Sequence, residues 1–171
     1  DLKHKSILNE SSKDIIRQSI QAIRHTMSAT DRIQKSHAIC NQLQQWLTKH
    51  QPSSLAAFVP LPTEPDIWPI LELYSTKHTL LLPKYNNQTN QYEWSTFQGQ
   101  LIQSKFRCFE PAAMIKPNTM PTICLVPAIA IDGQLNRIGW GHGHFDHLLK
   151  FQFNHRIAII FDIQYFKNKL F

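Results

Sequence analysis

Glycine is scarce in this sequence, five residues in 171, and paired cysteine motifs are absent. The three cysteines, Cys40, Cys108 and Cys124, lie far apart with no C-x-x-C among them. That argues against a disulfide framework and a thiolate zinc ribbon, and leaves buried, reduced thiols as the expectation. No run approaches the roughly 18 to 20 apolar residues of a membrane span. No apolar signal core follows Asp1-Leu2-Lys3-His4-Lys5, so no membrane partner is expected and a cytoplasmic location is. A start at Asp leads us to expect a short preceding segment. Positive charge is in modest excess, 18 Lys and Arg against 12 Asp and Glu for a net +6, and nowhere forms a block. Scattered charge speaks against a nucleic-acid module and for an anionic small molecule. A monomer is expected.

What glycine there is has been concentrated. Three of the five stand at alternate positions in Asn136-Arg137-Ile138-Gly139-Trp140-Gly141-His142-Gly143-His144-Phe145-Asp146-His147. Such a loop must adopt conformations, or allow a close approach, that a Cβ would forbid. Apolar residues resume with helical spacing at Phe145, Leu148 and Leu149, so the loop is expected to feed a helix and present unpaired N–H groups to an anion.

Along the chain, Ile15, Ile16, Ile20, Ile23 and Met27 recur at helical spacing, with Lys13, Arg17 and Arg24 between them, and predict a helix over residues 12–27. Either Ser28 or Thr30 caps a second helix to about Lys49, with Ile33, Cys40, Leu43, Trp46 and Leu47 as its buried stripe. The apolar run 55–59 reads as a strand covered on both faces. A short helix over 66–77, with Pro69 in its first turn, and a second strand over 78–83 complete a βαβ order. Residues 84–97 read as a hairpin carried on the sheet, and 101–120, proline-rich and aperiodic, as a long surface connection. Strand character returns over 122–131 and 156–161. The expected fold is α/β, a single three-layer αβα domain with a largely parallel sheet and a small hairpin insertion.

Neither the dinucleotide fingerprint nor the GxxxxGK[ST] phosphate loop is present. Arg137 enters the glycine loop from one side, as a guanidinium that can pair with phosphate oxygens. Asp146 follows the loop, where it can complement the helix dipole, worth roughly 0.3 to 1 kcal/mol, and ligate a Mg²⁺ beside a phosphate group, both at once. His142, His144 and His147 offer a zinc alternative, against which stands the lack of an evident fourth ligand.

Asp132-x-x-x-x-Arg137-Ile138-Gly139-x-Gly141-x-Gly143-His144-Phe145-Asp146 resembles the signature of the 5-formyltetrahydrofolate cyclo-ligase family (methenyltetrahydrofolate synthetases), which reads D, a spacer, then R-L-G-x-G-x-G-Y-Y-D. Other segments are similar in the same order: Lys13-Asp14-Ile15-Ile16-Arg17, Phe58-Val59-Pro60-Leu61-Pro62-Thr63-Glu64, Leu82-Pro83-Lys84, Phe109-Glu110-Pro111 and Val126-Pro127. The likeness covers most of residues 12–165 and implies one such domain over 1–171.

The resemblance implies conversion of 5-formyltetrahydrofolate into 5,10-methenyltetrahydrofolate, with ATP and Mg²⁺ and release of ADP and phosphate. By position it implies Lys13, Arg17, Arg137, Gly139, Gly141, Gly143 and Phe145 at ATP, with Arg137 and Lys13 catalytic, and Asp146 at Mg²⁺. Val59, Glu64, Trp140, Gly141, His142, Gly143 and His144 fall at the folate. Without the resemblance, Lys13 and Arg17 read as the solvated face of a helix and Glu64 as a loop carboxylate. The chain departs from the pattern at His144 and Phe145, where the family has two tyrosines, and at His147. The family also continues beyond residue 161 with a segment carrying a Mg²⁺-binding Asp, which is not found here; water, Asp162 or nothing is expected in that role. The alternative is a non-catalytic nucleotide- or folate-binding derivative of the same scaffold.

Overall fold

The computed structural model describes residues 2–170, with side chains from residue 12 onward. Its first helix, α1 (Leu2–Thr26), extends further back than the periodicity indicates. Its buried side also differs from the expectation. Ile20 is 2% exposed and Arg24 1%, whereas Ile15 and Ile23 lie in solvent at 63% and 47%. A stripe of isoleucines wider than one helix face cannot all be covered, and here Ile16, Ile20 and Arg24 share the inward side.

Helix α2 (Ala29–His50) is capped by Ser28, whose hydroxyl accepts the Asp31 N–H at 3.0 Å. Thr30 is therefore inside the helix. Cys40, Leu43 and Leu47 are buried as expected, and Ile33 is exposed. Strand β1 (Ser54–Ala56) ends sooner than the apolar run, although Ala57 and Phe58 stay buried past it. Helix α3 (Trp68–Ser75) carries proline in its first turn. The strand expected over 78–83 and the hairpin expected over 84–97 are one unit: β2 (Thr79–Asn86) runs on into the turn and returns as β3 (Gln91–Thr96), both within the main sheet.

Residues 101–120 are not a bare connection. They hold a two-stranded ribbon, β4 (Leu101–Gln103) with β5 (Phe109–Pro111), anchored where the buried Glu110 accepts from Lys84 Nζ at 3.0 Å and from the Tyr85 N–H at 3.0 Å. The strand expected over 122–131 is two strands in different sheets, β6 (Ile123–Pro127) and β7 (Ala130–Asp132). Pro127 has no N–H to continue the ladder, and the chain turns there. Strand β8 (Arg137–Ile138), helix α4 (His144–Leu148), strand β9 (His155–Ile159), a 3-10 turn at Asp162–Gln164 and strand β10 (Tyr165–Phe166) complete the order.

The main sheet runs β3-β2-β1-β6-β9, parallel except for β3 at its edge. Helices α2 and α3 cover one face through Leu43, Leu47, Leu71 and Tyr74 against Leu55, Leu80 and Leu125. Each such fully buried leucine contributes about 1.5–3 kcal/mol. The other face is covered by α4 and Phe153, which meet Ala56, Leu81, Trp94 and Val126. This is the expected three-layer α/β arrangement, with one thin helical layer. Helix α1 instead packs Ile20 on Ile129, Ala130 and Ile138 of the small sheet β10-β7-β8, beside the glycine loop.

Candidate functional site

Beyond the carboxyl ends of β1 and β6, the place where open α/β sheets take ligands, lies a cavity of about 510 Å³. Phe58, Val59 and Pro127 reach it from those strand ends, and Pro83 from β2. Strand β8 supplies Arg137, the glycine loop Gly139, Trp140, His142 and Gly143, and α4 adds His144, Phe145, Asp146 and Leu148. A second cavity, about 600 Å³, shares Leu61, Glu64, Cys108 and Phe109 with the first but contains none of the glycine loop. Chemistry thus favours the first.

The loop leaves a fixed base. Asp132, at the end of β7, accepts N–H groups of Gln134, Asn136 and Leu170 and the Asn136 side-chain amide at 2.9 to 3.1 Å. Burial alone would raise its pKa; these donors overcome that and hold it down at about 2. The first residue of the signature is therefore an anchor for the turn into β8. At Gly139 a Cβ would meet the Arg137 guanidinium at 2.9 Å, so glycine lets that side chain fold back over the loop. Gly141, at φ +99°, has a backbone that side-chain-bearing residues rarely adopt.

Arg137 and Asp146 are brought together. The Arg137 Nε–H donates to the Pro127 carbonyl at 2.7 Å, and Nη1 donates to Asp146 Oδ1 at 2.6 Å. Arg137 is mostly buried and Asp146 exposed. Desolvation lowers the pKa of Arg137 while the Asp146 charge opposes that, and guanidinium remains the charged form. Beneath them Phe145 stands edge-on to Phe58 and Trp94, ring centroids 6.3 and 5.9 Å away, and Arg137 lies 5.6 Å over its ring. Phe145 thus pins α4 to the core. With five residues, α4 has little dipole of its own, and the guanidinium is the stronger anion-attracting feature.

Glu64 is also at the cavity and nearly inaccessible, 4% exposed. Its two oxygens accept the Leu61 N–H at 2.8 Å and the Trp140 Nε1–H at 3.0 Å. Desolvation raises its pKa, against the pull of those donors and of Arg24 and Arg137. Trp140 is thereby tied across 76 residues of sequence to the loop after β1. His142 and His144 stack in parallel at 5.8 Å, and His144 meets Tyr92 edge-on at 5.2 Å.

Arg17 joins the glycine loop without lining the cavity. Its Nε–H donates to the Gly139 carbonyl at 3.0 Å, it lies against Gly141, and it is paired with Asp14. Lys13 stands one turn earlier on α1, partly buried, and it too is absent from the cavity wall. Gly141 itself faces Arg17 instead of the cavity. Lys84 lies within β2 and not beyond it, and is held by Glu110 and by the Pro111 carbonyl at 2.8 Å. Among the described residues no three His, Cys, Asp or Glu side chains converge to hold a metal, so the histidine pattern makes no zinc centre there. Asp162 pairs with Lys35 at 2.8 Å and is not part of the cavity wall.

Sequence reasoning missed the aromatic part of the wall: Phe58, Tyr92, Phe106 and Phe109, with Cys108 between the last two. Phe106 comes from the β4–β5 loop and Phe109 from the first position of β5. The available signal was an F-x-x-F pair in an otherwise polar, turn-rich stretch, both rings about half exposed. Cys40 and Cys124 are buried as expected, but Cys108 is only half-buried.

The sequence matches the 5-formyltetrahydrofolate cyclo-ligase family over residues 9–168. The chain belongs to that family. No curated protein matches the chain. Among solved structures, the cyclo-ligase fold is shared with a 5,10-methenyltetrahydrofolate synthetase of Aquifex aeolicus, 22% identical, covering 92% of this chain and 81% of that one at a TM-score of 0.79. A 5,10-methenyltetrahydrofolate synthetase of Mycoplasma pneumoniae, 18% identical, covers 92% of this chain and 90% of its own at a TM-score of 0.69. Membership makes a cyclo-ligase activity the reading for this cavity. No helix among the described residues is long and apolar enough to cross a membrane.

Proposed function

We propose that this protein converts 5-formyltetrahydrofolate into 5,10-methenyltetrahydrofolate, using ATP with Mg²⁺ and releasing ADP and phosphate. The observation that carries this reading is the meeting, at one aromatic-walled cavity, of the buried Glu64 carboxyl with the Arg137–Asp146 pair. A flat heterocycle suits walls built of Phe58, Tyr92 and Phe106. Glu64 would accept N–H groups of that ring, and Trp140, Val59, His142 and His144 would close around it.

The formyl oxygen of the substrate is a poor leaving group. Transfer of the γ-phosphoryl group onto it leaves ADP; the neighbouring folate nitrogen then attacks the formyl carbon, loses its proton and expels inorganic phosphate carrying that oxygen. Arg137 neutralises the phosphoryl charge, Lys13 and Arg17 hold the nucleotide, and the backbone at Gly139 and Gly143 admits it closely, while Gly141 makes room for Arg17. Asp146 fits a Mg²⁺ site as one exposed carboxylate at the cavity, since this ion takes few protein ligands beside phosphate and water. Bound there, Mg²⁺ would supply further charge neutralisation at the phosphates. We place the enzyme in the cytoplasm as a monomer.

The test is incubation with 5-formyltetrahydrofolate and Mg-ATP while following the absorbance of the methenyl product. Turnover supports the reading. A protein whose melting temperature rises with folate or ATP but which forms no product is instead the non-catalytic derivative.

A further inference from the structure

Arg24 has no part in the reading above, yet it is among the most deeply buried side chains of the protein, 1% exposed. Its Nε–H donates to the Thr63 carbonyl at 2.7 Å and its Nη2 to the Thr63 hydroxyl at 2.7 Å. Its guanidinium lies 5.1 Å over the Trp140 ring. Nη1 is buried with no hydrogen-bond partner. A buried charge with an orphaned donor is costly, and a residue that only filled space between α1 and the small sheet would be apolar.

What Arg24 touches accounts for its presence. Thr63 directly precedes Glu64, and Trp140 is the residue whose indole N–H holds Glu64. One face of α1 therefore grips both sides of the carboxyl: Arg17 takes the Gly139 carbonyl, Ile20 packs on Ile129 and Ile138, and Arg24 takes Thr63 and Trp140. We propose that Arg24 is a positioning residue for the folate half of the site, fixing the Thr63–Glu64 turn and the Trp140 indole in one arrangement so that Glu64 presents its carboxylate to the substrate. It acts through Glu64 and is absent from the cavity wall. The charged groups facing Glu64 are Arg24 from α1 and Arg137 from β8, and Arg32 of α2 in turn faces Arg24. Removing the Arg24 charge thus leaves Glu64 with one cation fewer.

The proposal rests on the folate reading for its ligand, so its test has a ligand-free arm. Affinities for 5-formyltetrahydrofolate and for ATP are measured by calorimetry for wild type, Arg24→Met and Thr63→Val. Arg24→Met is expected to weaken folate binding about tenfold and Thr63→Val about fivefold, with ATP affinity changed less than about twofold. In the absence of ligand, the pH transition of Trp140 fluorescence, identified by its loss in Trp140→Phe and in Glu64→Gln, is expected to move to higher pH in Arg24→Met, because the Arg24 charge that lowers the Glu64 pKa is gone. Equal losses for folate and ATP, unchanged folate affinity, or an unmoved transition overturns the proposal. If Arg24→Met does not fold, Thr63→Val decides by the same folate-to-ATP contrast. If wild-type protein binds no folate, the cyclo-ligase reading fails, and the fluorescence transition alone decides for or against the Arg24 grip.

Discussion

Arg137 and Asp146, nine residues apart and separated by all three loop glycines, meet at 2.6 Å. The pair closes the glycine loop on itself: a largely buried cation on β8 reaches an exposed carboxylate in the first turn of α4. In the proposed reading, a cation for phosphate and a carboxylate for Mg²⁺ would thus stand side by side, the arrangement that phosphoryl transfer requires.

Arg137→Ala is expected to lower kcat/KM by at least about 100-fold, the scale for losing a charge-stabilising donor. Folding should survive, since the loss is chiefly the bond to Pro127, about 1.5–3 kcal/mol. Steady-state kinetics together with a thermal melt check both halves. Wild-type rates would sink the phosphate-clamp role.

His144 carries a pKa lowered from its ordinary value, first by desolvation and then by His142 beside it. A group whose folded pKa lies below the unfolded one contributes stability above the unfolded value, about 6.5, and loses it as pH falls through the folded one. Wild-type protein should therefore lose melting temperature on acidification below about pH 6.5, and His144→Tyr should lose less. Paired melts from pH 7.5 to 5 measure it; identical slopes would count against the assignment.

Cys108 is the thiol expected to react. Burial pushes Cys124 up to about 12 and raises Cys40 as well, whereas Cys108 is half-buried at the cavity. A thiol reagent should label one cysteine quickly, and 5-formyltetrahydrofolate should slow that labelling. Equal rates for all three, or no protection by folate, would contradict the placement.

Asp132→Asn is expected to lower the melting temperature at neutral pH and to flatten its decline in acid. The Asp132 carboxylate, held at about 2, contributes stability above its unfolded pKa that disappears as pH falls from there through about 2. A melt series from pH 7 to 2 distinguishes this anchor from an indifferent loop residue.

The elements were legible where one period dominated: α2, α3 and the β2–β3 hairpin formed where the pattern placed them, and so did the parallel order of the sheet. Helix α1 was half legible. Ile15 and Ile23 satisfied the apolar period and lie in solvent, while Arg24 broke it and is buried, because only the fold supplies the Thr63 and Trp140 partners that make a buried guanidinium tolerable. The break between β6 and β7 was marked by Pro127, yet which sheet each half joins depends on contacts between residues distant in sequence. The loop half of the site could be read from Gly139 to Asp146. Its aromatic wall could not, since Phe106 and Phe109 reach the cavity through a ribbon anchored by the Lys84–Glu110 pair.

The most direct test is where the formyl oxygen goes. With ¹⁸O in the formyl group of 5-formyltetrahydrofolate and unlabelled Mg-ATP, each methenyl product formed should be matched by one ADP and one inorganic phosphate carrying the label. Label released into water, or product formed without matching ADP, would contradict phosphoryl transfer at the Arg137–Asp146 site.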